Sequence, residues 1–449
     1  MGKKLVVTAL VILMAVSLTG CFDAREIGDY AYISMVGIDE GVTDELRLTF
    51  HIPEFQVSGS GSDSGGGGNS NEKEKAEKEV ITLDAPSLLS GVSILNNSVP
   101  KILNFMHMKA IIISEKMAKS GKAGKVVTGL MKYRQVRGTT NIIVCRGTAE
   151  EFIKAFHPYQ GGLITDSIEE LVTRAEYTGF ITNSTFMDMY DRIKSATSQF
   201  LAIYGSVNDG KNLKESRSGE ESDPESRESG EPEEEKPVSQ NEGYGSGDKG
   251  RFRIPGDYLA GETPVKGGPD IELFGSAVFD GDKMVGTLTG FETQMVRIAI
   301  GRLNRAAFTI QDPLSPDLYI PIEVKEFGTP KVSIDLSGQR PMINMELKLE
   351  GDITSIPSRI EYEDEEKNRI LEQAFEEFIK TGLERTFKKG QELKTDVFDL
   401  GQVAIKQFLT IPEWEKYKWK EKVLDAELNV KVDFIVRRTG KTTSNKPAK

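Results

Sequence analysis

From Ile343 to Glu350 apolar and polar side chains alternate without a break: Ile343, Met345, Leu347 and Leu349 against Asn344, Glu346, Lys348 and Glu350. That period of two belongs to a strand with one dry and one wet face. Val332, Ile334 and Leu336 repeat it, as do Leu428, Val430, Val432, Phe434 and Val436. Such strands need cover on one face only, so this part of the chain folds as sheet plus helix. The cover is legible too. Leu371, Phe375, Phe378, Ile379, Leu383 and Phe387 recur at helical spacing, with acids between Glu361 and Glu366 at the start and Lys388, Lys389 and Gly390 at the end. A shorter helix, roughly Asp396 to Phe408, adds Val397, Leu400, Ala404 and Phe408 and stops before Ile411-Pro412. The order β-β-β-α-α-β, antiparallel with helices on one side, predicts an α+β domain over 306–440.

Two polar stretches interrupt the chain upstream. An insert at 57–79 runs from Gly, Ser, Asp and Asn (Ser58 to Asn71) into charge (Glu72 to Glu79), and neither part can bury apolar surface. A Gly-rich loop cradles phosphate only between a strand and a helix start, and here the extended Val80 to Leu83 follows. A second insert at 209–250 holds 13 acidic and 6 basic residues, more than half of the chain's net charge of −12. It reads as a solvated linker. Strands are expected at Tyr32–Ile38, Leu46–Ile52, Val80–Leu83, Ala110–Ser114 and Asn141–Cys145. Helices are expected at Ser87–Asn97, Lys122–Tyr133 and Ala149–Phe156. They suggest an N-terminal α+β domain over 22–160. Helices Asp166–Tyr177 and Phe186–Gln199, then a hairpin turning at Asp280-Gly281 between Ile271–Phe279 and Met284–Leu288, suggest a middle one over 161–305. The predicted fold class is therefore α+β: three successive domains with mostly antiparallel or mixed sheets covered by helices.

Lys3 and Lys4 precede an uncharged run from Leu5 to Leu18 that ends in Leu18-Thr19-Gly20-Cys21. Fourteen residues are too few to cross a hydrocarbon core of about 30 Å as a helix. Residues 1–20 therefore read as a cleaved export signal. Leu-Thr-Gly-Cys resembles the lipobox of bacterial lipoproteins, which implies diacylglyceryl and N-acyl groups (palmitate-type chains) on Cys21 and a stable membrane anchor. The rest of the chain is expected outside the cytoplasm.

The acidic balance is a poor footing for nucleic acid. Two cysteines exclude a disulfide framework or a Cys-rich zinc site, and three scattered histidines make no metal or triad pattern. His107 reads as a satisfied structural histidine and Cys145 as an inert core thiol. Trp414, Tyr417 and Trp419, interleaved with Lys416, Lys418 and Lys420, read as packing against the long helix. Arg437, Arg438, Lys441, Lys446 and Lys449 read as a solvated basic end, with 441–449 as its tail. No catalytic, cofactor-binding or metal-binding residue is indicated, so the chain is not expected to be an enzyme.

Several blocks, taken in order, resemble the Ger(x)C family, the lipoprotein C subunits of bacterial spore germinant receptors. They are Gly20 to Ile27 with Val36-Gly37-Ile38-Asp39; Asn104 to Glu115; Gly275 to Phe279 with Met284-Val285-Gly286. The last group is Gln391, Asp396 to Gly401, Pro412-Glu413-Trp414, Trp419 and Arg437 to Gly440. The family usually has Trp after the lipidated Cys, where this chain has Phe22, and both inserts look longer than usual. The resemblance implies a three-domain protein on the outer face of the spore inner membrane. It also implies assembly with two polytopic receptor subunits and a non-enzymatic part in sporulation-derived germination signalling. A solute-binding lipoprotein of a transporter is the alternative, and it would need parallel-sheet lobes around a ligand cleft. An exported cell-wall hydrolase is a third reading.

Overall fold

The computed structural model describes residues 2–6, 8, 26–53, 79–157, 164–208, 254–265 and 267–438. Cys21, the insert at 209–250, the tail at 441–449 and all of the first insert but Glu79 lie outside the described residues.

The strands in chain order are β1 (Tyr30–Tyr32), β2 (Met35–Glu40), β3 (Leu46–His51), β4 (Val80–Ala85), β5 (Ile102–Asn104), β6 (Ala110–Ser114), β7 (Asn141–Cys145) and β8 (Leu201–Val207). They continue as β9 (Ile271–Asp280), β10 (Lys283–Leu288), β11 (Ala306–Asp312), β12 (Ser315–Glu326), β13 (Lys331–Asp335), β14 (Met342–Ile353) and β15 (Glu427–Arg438). An eight-stranded sheet has the order β10-β9-β8-β7-β6-β2-β3-β4. Its centre, β2, β6, β7 and β8, is parallel, and antiparallel strands flank it on both sides. The stretches 22–160 and 161–305, expected as separate units, thus contribute to one sheet. The physical reason is that a parallel strand has two hydrogen-bonding edges to fill, and β7 fills one of them with β8 from beyond residue 160.

Parallel strands covered on both faces read as continuous apolar runs. All five residues of β6 are buried. Ile111 and Ile113 join Val127, Leu130, Phe186 and Met189 on one face. Ile112 joins Phe152 and Ile153 on the other. Gly37 is needed for that second layer, because a Cβ there would stand 2.9 Å from Ile153 Cδ1 and 3.1 Å from Ala149 Cβ. Beside the main sheet, β1 and β5 form a short parallel ribbon.

The second large sheet has the order β11-β12-β14-β13, with β15 on β14. Along β14 burial alternates from Met342 to Leu349, as its sequence predicts. The 28-residue helix Glu365–Glu392 buries Leu371, Phe375, Ile379, Leu383 and Phe387, and the Phe375 and Phe434 rings lie 4.2 Å apart. Asp364 caps its start by accepting from the Lys367 N–H.

Two local expectations change. β15 runs parallel to β14, not antiparallel, since a long helical crossover returns the chain in the same direction. The expected helix Asp396–Phe408 shrinks to Gly401–Ala404 and the 3-10 turn Ile405–Gln407. Asp396 accepts the N–H groups of Leu400 and Gly401, and Asp399 takes a left-handed conformation at φ 54. A side-chain carboxylate competing for backbone donors delays the helix. The helix from Phe186 likewise ends at Ile193, where Ser195 Oγ takes the N–H groups of Thr197 and Ser198.

Candidate functional site

The late blocks, Gln391, Asp396 to Gly401, Trp414 and Trp419, lie at the junction between the two large sheets, whereas Val36 to Asp39 and Ala110 to Ser114 lie within the first sheet. The helix Phe186–Ile193 starts from a Thr185/Asp188 capping box and carries Arg192 in its last turn. Asp399 comes from the turn that replaces the expected helix. Arg192 Nη1 donates to both Asp399 carboxylate oxygens, at 2.9 and 2.7 Å, and to the Gln199 carbonyl at 2.7 Å. Gln402 Nε2 donates to Thr197 Oγ1 at 2.8 Å. Gly401 allows the close approach, since a Cβ there would lie 2.4 Å from the Thr197 carbonyl oxygen.

A second cluster ties the long helix to the segment before and within the helix Gly290–Ala299. Arg385 makes a two-pronged bond to Asp257 at 2.8 and 3.1 Å, and Lys389 Nζ lies 2.7 Å from Glu292 Oε2. Glu292 is buried and also closes the capping box with Thr289. Thr289 Oγ1 in turn donates to Asp257 at 2.9 Å. All ten residues of this helix are buried, and Gly382 on the long helix faces it so closely that a Cβ would stand 2.7 Å from Met295 Sδ. One apolar cluster runs through the junction from Val278 and Phe291 to Phe375 and Trp419.

Asp396 lies at the base of this junction. Its carboxylate accepts from Trp419 Nε1 at 2.9 Å, Leu400 N at 3.0 Å and Gly401 N at 2.7 Å. Burial pushes its pKa up to about 6, against the lowering effect of those donors. Gln391 donates to the carbonyls of Val423 and Ala426 at 3.1 and 3.0 Å. Trp414 and Trp419 are both buried, 6.1 Å apart and nearly parallel, in the core that contains the long helix. Each of these groups holds a neighbour in place.

Cys145 is fully buried, and burial pushes its thiol well above the usual value, which disfavours the reactive thiolate. His107, read as a satisfied structural histidine, is exposed and meets the Tyr32 ring edge-on at 4.8 Å; the buried place is held by another histidine. That place belongs to His51, whose Nδ1 is 2.6 Å from Ser34 Oγ and whose pKa burial lowers to about 4. Cys21, the expected lipidation site, lies outside the described residues.

A cleft of about 680 Å³ opens at the carboxyl ends of β2, β6 and β7, lined by Asp39, Glu40, Arg47, Glu115, Lys116 and Glu150 among others. Ligands of parallel sheets gather at such ends. Here the charges face one another. Asp39 accepts from the N–H groups of Ala149 and Glu150, Arg47 pairs with Asp84 at 2.8 Å, and Glu40 pairs with Lys116 at 3.1 Å. Among the described residues no group of three or more His, Cys, Asp or Glu could hold a metal ion, and no helix is long and apolar enough to cross a membrane.

The sequence reading singled out Asp396, Asp399, Gln391 and Trp419 but missed Arg192, Asp257, Glu292, Arg385 and Lys389. Two signals were available. Arg385 and Lys389 share a helical face at i,i+4, and Thr289-x-x-Glu292 is a capping-box pattern.

A family model described as the spore germination protein N-terminal domain matches residues 23–206, and one described as spore germination B3/GerAC like, C-terminal, matches residues 274–440. Spore germination protein KC of Bacillus subtilis (strain 168) is 23% identical over 448 residues, covering 98% of this chain and 97% of the relative. Spore germination protein B3 of the same organism is 22% identical over 171 residues, 37% of this chain and 42% of the relative. The crystal structure of the GerBC protein shares the fold at a TM-score of 0.50 and 15% identity, covering 90% of this chain and 96% of that one.

Proposed function

Because this chain belongs to the GerAC-like family of spore germination proteins, we propose that it is the lipoprotein subunit of a nutrient germinant receptor. In this reading diacylglyceryl and N-acyl groups on Cys21 hold it on the outer face of the spore inner membrane. It works there through contacts with two polytopic subunits, without making or breaking substrate bonds. A tether serves such a role by raising the local concentration of the protein beside its membrane partners. The observation that carries the reading is the pairing of near full-length similarity to a germination protein with a junction at which the motif side chains Asp396, Asp399, Gln391 and Trp419 are all held by internal partners.

Cys21→Ala tests the anchor. The variant should leave the membrane fraction, lose its lipid label, and fail to restore nutrient germination to a receptor-subunit deletion strain. A lipid-free variant that stays wholly in the membrane and restores germination would overturn the reading.

A further inference from the structure

At the point where the described body begins, the chain runs from Ile27 through β1, which pairs with β5. Around this ribbon apolar side chains stand in solvent: Ile27 is 79% exposed, Met106 49% and Ile102 38%. Ile102 lies directly across the ladder from Tyr30, whose ring is 6.0 Å from that of Tyr32, and Tyr32 in turn touches His107. Single exposed apolar residues are ordinary, but a group of them ringed by aromatic residues with polar tips marks a contact surface. The charges nearby, Glu26, Asp29 and Lys101 with Lys109 already paired to Glu169, are mixed in sign. The contact they permit is apolar and aromatic, not a polybasic attraction.

We propose that this β1–β5 ribbon is the face on which the protein rests on the bilayer, its occupant the headgroup region of the membrane that holds the Cys21 lipid. The inference rests on the lipid-anchor reading above. Glu26 follows Cys21 by only five positions, a reach of about 18 Å at full extension. The ribbon is therefore confined close to the headgroups whenever the lipid is inserted. Tyrosine rings belong at that depth, with their bodies among lipid and their hydroxyls in water. The opposite end of the sheet is held away, because β2 leads from the ribbon to the turn at Val42 over a rise of about 20 Å.

The test uses the full mature lipidated chain, with a single environment-sensitive label on Met106→Cys, or on Val42→Cys as the distal comparison. Cys145 is buried and leaves the label specific. The chain is floated with vesicles of phosphatidylethanolamine and phosphatidylglycerol in equal parts. The Met106→Cys label should shift to the blue, lose most of its quenching by iodide and gain quenching by spin-labelled lipid, unchanged by added salt. The Val42→Cys label should remain open to iodide, and Ile27→Ser should weaken the shift at Met106→Cys. A chain that floats while its Met106→Cys label stays as open to iodide as in solution overturns the docking and leaves the anchor standing. A label open on vesicles but shielded in spore membranes overturns it in favour of a protein occupant. A chain whose mass lacks diacylglyceryl and which does not float removes both readings.

Discussion

In β6 of the first sheet every residue is buried, whereas in β14 of the second the buried residues are every other one from Ile343 to Leu349. Both strands supply a hydrophobic core, but the first is covered by helices on two faces and the second on one. The difference decides how a sequence displays its fold. A strand with a wet face carries its orientation in its own alternation. One with two dry faces shows only that it is apolar, and its neighbours must be found by the tertiary structure.

Substitutions can break this comparison. Ile112→Ala in β6 should cost about 2–4 kcal/mol in urea unfolding, and Ile111→Ala a similar amount, because consecutive residues face different packed layers. If only one of the pair mattered, the two-sided burial would be wrong. At the junction, Asp399→Ala leaves the Arg192 guanidinium without its two-pronged partner. Both side chains keep some exposure to water, so the expected loss is about 2 kcal/mol, read from the same unfolding midpoint.

Acid should move the two regions in opposite directions. The pKa of His51 in β3 is about 4 when folded, below its ordinary 6.5, so the stability it contributes is present above pH 6.5 and is lost as pH falls toward 4. The pKa of Asp396 at the junction is about 6 when folded, above its ordinary 3.8, so its contribution is fully present below 3.8 and is lost as pH rises through 6. Unfolding midpoints across this range should show the acid loss reduced in His51→Gln. The stability difference between the wild type and Asp396→Asn should grow toward low pH. The smallest effect is expected on the wet face. Glu346→Thr, exposed between Lys331 and Lys431, should change stability by about 0.5 kcal/mol or less.

The readable and unreadable parts divide along the same line. The long helix, the β9–β10 hairpin and β13–β15 follow from periodicity and turn residues, which act within a few positions of each other. Elsewhere β8 carries no alternation that would mark it, since Leu201 to Val207 includes Gly205 and Ser206 and is buried at every position from Ala202 to Ser206. In β11 and β12 the prolines at 313, 316 and 321 obscured the pattern. At the candidate site Asp396, Asp399, Gln391 and Trp419 were visible as parts of a familiar order of blocks. Arg192 was not, because its partner Asp399 is 207 positions away and nothing local marks either as half of a pair.

The amino-acid sequence by itself determined the uncharged run from Leu5 to Leu18, the polar inserts, the α+β class and the alternation of the C-terminal strands, since each is a matter of local composition or period. Only the tertiary structure decided that strands from both sides of residue 160 share one sheet, that β15 lies parallel to β14, and that Arg192, Asp399, Asp257 and Arg385 close the seam between the sheets. Those outcomes depend on which edge and which charge meet across hundreds of residues. The balance of burial and pairing that selects them exists only when the whole chain is packed.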